Sequence, residues 1–266
     1  MEDFVNFIID YIEKTEIHGR TGWIDQLAGY QWKRECFSDG IQTSKNLNSK
    51  THDVLKTPNS EGWNCHCNQI AKWGGMPDVS LGLATRYRES VNYLLNNDPV
   101  PKSNFRLLPI CGKRIATASK IYYFSDPLRW TIFDSRVGYA IHQLIFEYSK
   151  KVGVEPLSLF QEIPLCLPDS QTCLPHSKTK KRTRIYDIPI CGHETRAKAS
   201  FVWASHLHRL IATKLNVTSI PKPPEYLSTV SQWELPHIEM IFFMIGDRKW
   251  VDAPYFCPRP KIRKRS

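Results

Sequence analysis

The chain contains 266 residues, of which 36 are Lys or Arg and 26 are Asp or Glu, so its formal net charge is +10. This length is sufficient to bury a large apolar core, and no apolar run approaches the roughly 18 residues typical of a transmembrane helix. The positive charge favours polyanionic partners, because each neutralised phosphate releases counterions, although a merely basic enzyme has the same composition. The first residues carry acids where a secretion signal carries Lys or Arg, so we expect a cytoplasmic protein without a membrane partner.

Apolar residues recur at helical spacing along most of the chain, which predicts a mainly α-helical fold. The predicted helices cover 4–14, 23–32, 82–97, 113–124, 134–150 and 195–215, with further apolar segments at 65–73 and 236–246. By contrast, residues 36–62 are polar and show little periodicity, so they predict a long loop.

Two basic segments stand apart from the predicted helices. Residues 162–195 contain four prolines and the run Lys178–Arg184, which together predict an inserted basic loop. Such a run is usually solvated, and contact with phosphate is the second interpretation. Residues 258–266 predict a basic tail, and we interpret the rest of the chain, residues 1–257, as one domain.

The eight cysteines raise the question of a metal site or a disulfide. Cys65 and Cys67 are separated by one residue, and no Cys-x-x-Cys pair follows to complete a tetrahedral site. A second half-site at Cys166, Cys173 and His176 is a weaker alternative. We therefore expect no metal and no cofactor, with most of the cysteines as free thiols.

Residues 105–150 form the most regular unit of the sequence. Its parts in chain order are a helix end, the short turn Leu108–Gly112, the helix Lys113–Phe124, the extended link Trp130–Phe133 and a helix that begins at Asp134. A helix, a tight turn ending in glycine and a second helix are typical of a helix-hairpin-helix, which binds a DNA phosphate through turn amides and a helix N-terminus. Lys113 and Arg114 lie where they can pair with the same phosphate backbone, and Lys120 shares a helical face with Lys113.

Three short segments of this sequence resemble a known protein family. Ile115–Lys120, Phe133–Val137 and Ile238–Phe243 are similar to the bacterial 8-oxoguanine DNA glycosylase-fold proteins, which are divergent members of the helix-hairpin-helix DNA glycosylase superfamily. In that superfamily an invariant Asp follows the hairpin in an apolar context, just before a helix. Asp134 occupies that position. The resemblance is firm over 105–150 and absent from the basic insertion.

The resemblance implies a helix-hairpin-helix glycosylase-like domain that acts as a monomer on double-stranded DNA. Such a protein excises a damaged or modified base, in repair or in antiviral defence. Asp134 would stabilise the positive charge on the deoxyribose and activate the attacking group. The family's nucleophilic lysine falls at Arg114, and an Arg cannot act as an amine nucleophile. The nucleophile therefore stays open: it is Lys113, it is Lys120, or no Schiff base forms. We favour hydrolysis by water, with Lys120 assisting.

The remaining candidates are residues expected to contact the DNA backbone or the flipped base. The expected DNA contacts are Gly112, Lys113, Arg114, Arg136 and Lys72. The expected base pocket contains Trp73, Gly74, Phe133 and Glu239, with Trp63 as a further aromatic candidate.

Each candidate also has a purely structural interpretation. Asp134 is a residue type preferred at a helix N-cap. Lys120 can be a side chain at the edge of a helix that extends its ammonium to the surface. Gly74 can belong to a simple turn at the end of a helix. Glu239 in an apolar helix needs a partner, which a structural Arg would supply.

Two other functions remain compatible with the sequence. The first is a non-catalytic DNA-binding protein that has kept the fold, which the Arg at position 114 favours and Asp134 disfavours. The second is a helical module whose basic loop binds RNA or an acidic protein. The lack of strong, salt-dependent DNA binding would favour this second alternative.

Overall fold

The computed structural model describes residues 1–30, 37–101, 103–161 and 194–247, which contain ten helices and no strand. The helices are α1 (Glu2–Lys14), α2 (Trp23–Ala28), α3 (Phe37–Leu55), α4 (Ser60–Trp73), α5 (Leu81–Asn96), α6 (Ile115–Ser125), α7 (Ser135–Val152), α8 (Pro156–Gln161), α9 (Glu194–Asn216) and α10 (Leu235–Asp247). The prediction of a mainly α-helical fold is therefore confirmed. None of the described helices has the length and apolar character needed to cross a membrane.

The helix pair α7 and α10 lies at the centre of the core. Residues 235–243 of α10 are all buried, as is typical of a helix that is apolar on every side. Gly246 lets the two backbones approach closely, because a Cβ at this position would lie 1.9 Å from the carbonyl oxygen of Arg136. α2 and α9 also pack against α10, so this helix joins the N-terminal and C-terminal parts of the core.

The prediction of a loop over 36–62 is wrong, because α3 occupies most of that range. The buried face of α3 carries Ser44 and Thr51 where apolar residues would be expected. Its polar side chains make specific contacts: the Asn48 amide donates to the carbonyl of Phe124 at 2.8 Å, and Thr51 Oγ1 lies 2.7 Å from His66 Nε2. The polar composition therefore hides the helical period while tertiary hydrogen bonds stabilise the helix.

The predicted helix end at 105–107 is also wrong. α5 ends at Asn96, and residues 104–107 form an isolated turn in which the Leu107 N–H donates to the carbonyl of Asn104 at 3.0 Å. Pro99, Pro101 and Pro109 remove backbone donors from this stretch and disfavour a helix. The second predicted helix begins at Ile115 rather than at Lys113, because Arg114 has a left-handed conformation with φ 53°.

The predicted basic loop and the basic tail lie almost entirely outside the described residues, since 162–193 and 248–266 are not among them. The domain boundary at 257 therefore stays a prediction.

Candidate functional site

The first feature of the site is an ion pair between α6 and the start of α7. Lys120 lies in the middle of α6, and its Nζ is 3.2 Å from Oδ2 of Asp134 and donates to the carbonyl of Ala116 at 3.2 Å. The Lys120 side chain is 3% exposed and that of Asp134 13%. Asp134 is therefore the less deeply buried member of the pair.

Asp134 is at the same time the N-cap of α7. Its Oδ1 accepts hydrogen bonds from the backbone N–H groups of Arg136 at 3.0 Å and Val137 at 3.2 Å. Burial raises the pKa of this carboxyl, but the charge of Lys120 and the hydrogen bond from Val137 outweigh burial and hold the pKa below its usual value. Asp134 is consequently an anion at neutral pH, as a group that stabilises a cation must be.

Gly74 positions Lys120 from the opposite side. A Cβ on Gly74 would lie 2.5 Å from Cδ and 2.7 Å from Cε of Lys120, so the end of α4 packs directly on the lysine stem. Gly74 has a right-handed conformation, with φ −73°, so glycine is needed here for space rather than for backbone freedom. The neighbouring Trp73 is half-buried and packs edge-on against Phe124, with ring centroids 5.1 Å apart.

Glu239 on α10 adds a second carboxyl to the site. It is 4% exposed, and burial together with the negative charge of Asp134 raises its pKa to about 8, while Lys120 acts in the opposite direction. Glu239 is thus mostly protonated at neutral pH. Its neighbours include Tyr123 and Tyr226, whose hydroxyl groups are 3.1 Å apart. The structure therefore places Glu239 within electrostatic range of both predicted catalytic residues.

Arg136 is held against α10. Its guanidinium lies over the ring of Phe243, 4.3 Å from the centroid, and its carbonyl faces the backbone of Gly246. The resemblance included Phe243 but did not indicate Gly246, whose only signal in the sequence is a glycine near the end of an apolar segment.

The predicted hairpin contacts are arranged differently from the expectation. The N–H groups of Gly112 and Lys113 donate to the carboxylate of Glu194, at 3.1 and 3.3 Å. The guanidinium of Arg114 donates to the carbonyls of Pro77 and Asp78. Both predicted phosphate donors in the turn backbone therefore contact an internal carboxylate, for which the sequence near the turn carries no signal.

Of the remaining candidates, the side chains of Lys72 and Lys113 are exposed. Phe133 and Trp63 are buried in the core, at 0% and 1% exposure. Phe133 is fixed through its backbone N–H, which donates to Ser119 Oγ at 2.9 Å. Of the three aromatic candidates, only Trp73 is not fully buried.

Cys65, His66 and Cys67 follow one another on α4 and differ in their surroundings. Cys65 is exposed and Cys67 buried, while His66 Nε2 bonds to Thr51. The described residues contain no group of three His, Cys, Asp or Glu side chains that is suited to hold a metal ion. The alternative half-site at 166–176 lies outside them.

Two open grooves lie away from this site. One, of about 550 Å³, includes Phe7, Tyr148 and Lys151 in its lining, and the other, of about 240 Å³, includes Arg209 and Trp233. Neither of these two grooves is lined by Lys120 or Asp134.

Comparison with known proteins finds no protein-family model, curated protein or solved structure that matches this chain. A functional conclusion consequently rests on the geometry of the site.

Proposed function

We propose that this protein is a DNA glycosylase that excises a damaged or modified base by hydrolysis of the N-glycosidic bond. The observation that carries the proposal is the Lys120–Asp134 pair, in which a largely buried, ionised carboxylate is fixed by an ammonium at 3.2 Å and by two backbone amides. A carboxylate held in this way is pre-organised to stabilise the cation that develops on the sugar.

In this mechanism the target nucleotide leaves the base stack and its sugar lies against Asp134. The bond between the sugar C1′ and the base nitrogen breaks, and its electron pair leaves with the base. Water adds to C1′ and passes a proton to the Asp134 carboxylate, which later releases it to the base or to solvent. Lys120 is a positioning residue that keeps the carboxylate oriented, and the half-buried Trp73, which precedes Gly74, is the aromatic candidate for stacking on the flipped base.

The test is base excision by Asp134→Asn. Asn is as good an N-cap as Asp, so this change keeps the cap of α7 and removes the negative charge; urea unfolding sets the conditions in which the variant stays folded during the assay. We expect excision to fall by about 100-fold or more, scored as abasic sites in duplexes that carry oxidised, deaminated, alkylated, hydroxymethylated or glucosylated bases. The matched control is Asp126→Asn, which removes another carboxylate of the same segment, paired with Arg129 at 2.5 Å.

Equal excision by the wild type and Asp134→Asn would refute the proposed role of the carboxylate. Borohydride trapping distinguishes the nucleophile: a covalent DNA adduct that disappears in Lys120→Met would replace water by the lysine amine.

A non-catalytic DNA-binding protein is the second candidate. It is favoured by the fact that both Asp134 oxygens have partners within the chain. If wild type and Asp134→Asn bind DNA equally and neither excises a base from any duplex of the panel, this second function is correct.

A further inference from the structure

Arg114 precedes α6 in an unfavourable backbone conformation. Its φ of 53° and ψ of 51° lie in the left-handed region, which residues with a side chain seldom occupy and which persists only where the surroundings hold it. Glycine is the ordinary residue for such a position. An arginine here therefore indicates that its side chain supplies a contact that glycine would lack.

The Arg114 side chain joins the start of α6 to the connection between α4 and α5. One guanidinium nitrogen, Nη1, donates to the carbonyl of Asp78 at 2.7 Å, and the other, Nη2, donates to the carbonyl of Pro77. We call residues 74–79, which follow the last residue of α4, the strap. Both hydrogen-bonding arms of the guanidinium are therefore used to hold the strap.

Asn68 of α4 holds the last residue of the strap. Its side chain accepts from the N–H of Val79 at 2.6 Å and donates to the carbonyl of Val79 at 3.2 Å. Pro77 and Asp78, which precede it, are exposed. Among the described residues, Arg114 is the one whose side chain ties this exposed part of the strap to α6.

The first residue of the strap lies on Lys120. A Cβ on Gly74 would lie 2.5 Å from Cδ of Lys120, and the Nζ at the end of the same stem is 3.2 Å from Oδ2 of Asp134. A shift of the strap away from α6 would open space beside this stem, and the stem could then adopt other rotamers. The strap consequently helps to keep the ammonium directed at the carboxylate.

We propose that Arg114 is a positioning residue for base excision. Through the strap it keeps Gly74 on the stem of Lys120, and Lys120 keeps Asp134 oriented. This inference rests on the proposed function for its reaction, and it gives Arg114 an internal role in place of the phosphate contact expected from the sequence. Six residues, or about one and two-thirds helical turns, lead from Arg114 to Lys120, so the two side chains lie on different sides of the α6 axis and Arg114 acts through the strap.

The first measurement is the rate at which an acetylating reagent modifies the Lys120 amine, followed by mass spectrometry on the full chain. Arg114→Asn removes the guanidinium, and Asn both tolerates the left-handed region and caps a helix. We expect Lys120 to react about tenfold faster in this variant than in the wild type, because local opening beside the lysine becomes more frequent.

The matched control is Arg88→Gln. Arg88 is half-buried like Arg114, and its guanidinium likewise donates to two carbonyls of a helix connection, those of Leu55 and Thr57 between α3 and α4. Loss of this second guanidinium should leave the reactivity of Lys120 unchanged. Thermal unfolding of every variant checks that the fold is retained.

The second measurement is base excision by the same variants. A positioning role predicts that Arg114→Asn lowers kcat by about tenfold and leaves KM and the salt dependence of DNA binding unchanged. A phosphate contact would instead raise KM and reduce the slope of log affinity against log salt by about one unit. Arg114→Lys, whose single ammonium lacks the planar fork needed for both carbonyls, should lie between the wild type and Arg114→Asn in reactivity and in kcat.

Equal Lys120 reactivity in the wild type and Arg114→Asn would overturn the inference, and so would similar increases in Arg114→Asn and Arg88→Gln. A raised KM with unchanged kcat would show that Arg114 contacts DNA instead. A covalent adduct that borohydride traps in Arg114→Lys but not in the wild type would show that position 114 faces the sugar, which also contradicts the proposal.

Failure of the proposed function gives a different pattern. If Lys120 reactivity responds as expected while no protein of the series excises a base, the hold of Arg114 on Lys120 stands and the proposed chemistry is wrong. Excision that depends on Asp134 but not on Arg114 leaves the proposed function intact and removes the inference.

Discussion

Replacement of Glu239 by Gln should change how stability depends on pH. In the folded protein this carboxyl has a pKa of about 8, because of burial and the nearby charge of Asp134, against an ordinary value of 4.5. Gln has nearly the shape of the protonated acid but cannot ionise. The substitution therefore tests whether the site contains a neutral second carboxyl.

The direction of the change in stability follows from the pH at which Glu239 loses its proton in the folded and in the unfolded chain. The unfolded chain releases the Glu239 proton near its ordinary pKa, while the folded chain keeps it up to about pH 8. Ionisation in this window stabilises the unfolded state, so the wild type loses stability as pH rises through it. One pKa unit corresponds to 1.36 kcal/mol, so the difference between the two values gives a loss of roughly 3 to 5 kcal/mol.

The assay is urea unfolding of wild type and Glu239→Gln from about pH 5 to about pH 9. Their difference in unfolding free energy should grow in favour of the variant with rising pH and become constant above about pH 8. Burial lowers the pKa values of His66 and His237 to about 4. Below neutral pH these two groups make the unfolding free energy rise with pH, but they do so equally in both proteins. The exposed Glu225→Gln is the control for the same change of side chain away from the site. A flat difference for Glu239→Gln would show that this carboxyl is ionised in the folded state and would refute the reasoning.

Two stability predictions concern close contacts. Gly246→Ala should destabilise the protein by about 3 kcal/mol, since the added Cβ meets the Arg136 carbonyl. The control Gly82→Ala, which has nothing within 4 Å of its Cβ, should stabilise the protein by about 0.5 kcal/mol. Equal effects of the two changes in urea unfolding would contradict the α7–α10 packing. Asp134→Asn and Lys120→Met should each destabilise by about 3 kcal/mol, because each leaves its buried partner unpaired. The double variant should lose at least about 1 kcal/mol less than their sum, and strict additivity would show that the pair is not formed in solution.

The strongly periodic elements of the fold were predictable. The apolar faces of α5, α7 and α9 identify these helices to within one or two residues at each end, because each helix buries one continuous stripe against the core. α3 was not predictable in this way, since Ser44, Asn48 and Thr51 occupy its inner positions. Their hydrogen bonds are tertiary, and a local pattern does not contain them.

The site was predictable where it depends on local order. Asp134 precedes a helix, and Lys120 lies on the preceding helix, so their proximity follows from two short segments. Glu194 is different, because it contacts Gly112 across a separation of 82 residues. The pattern of the turn predicts free backbone donors for a phosphate, whereas the packing of α9 places a carboxylate of the same protein on those donors.

The position of α10 has a consequence for synthesis of the chain. His18 bonds to the carbonyl of Ile245 at 3.0 Å, over 227 residues, and Trp23 packs edge-on against Trp233. At a translation rate of 5–20 residues per second, the first helices wait roughly 10 to 40 s for these partners. During that interval the inner face of α2 lacks its cover, and the nascent chain exposes aromatic surface that a chaperone would recognise. Folding of the core is therefore expected to finish only after the last described helix has left the ribosome.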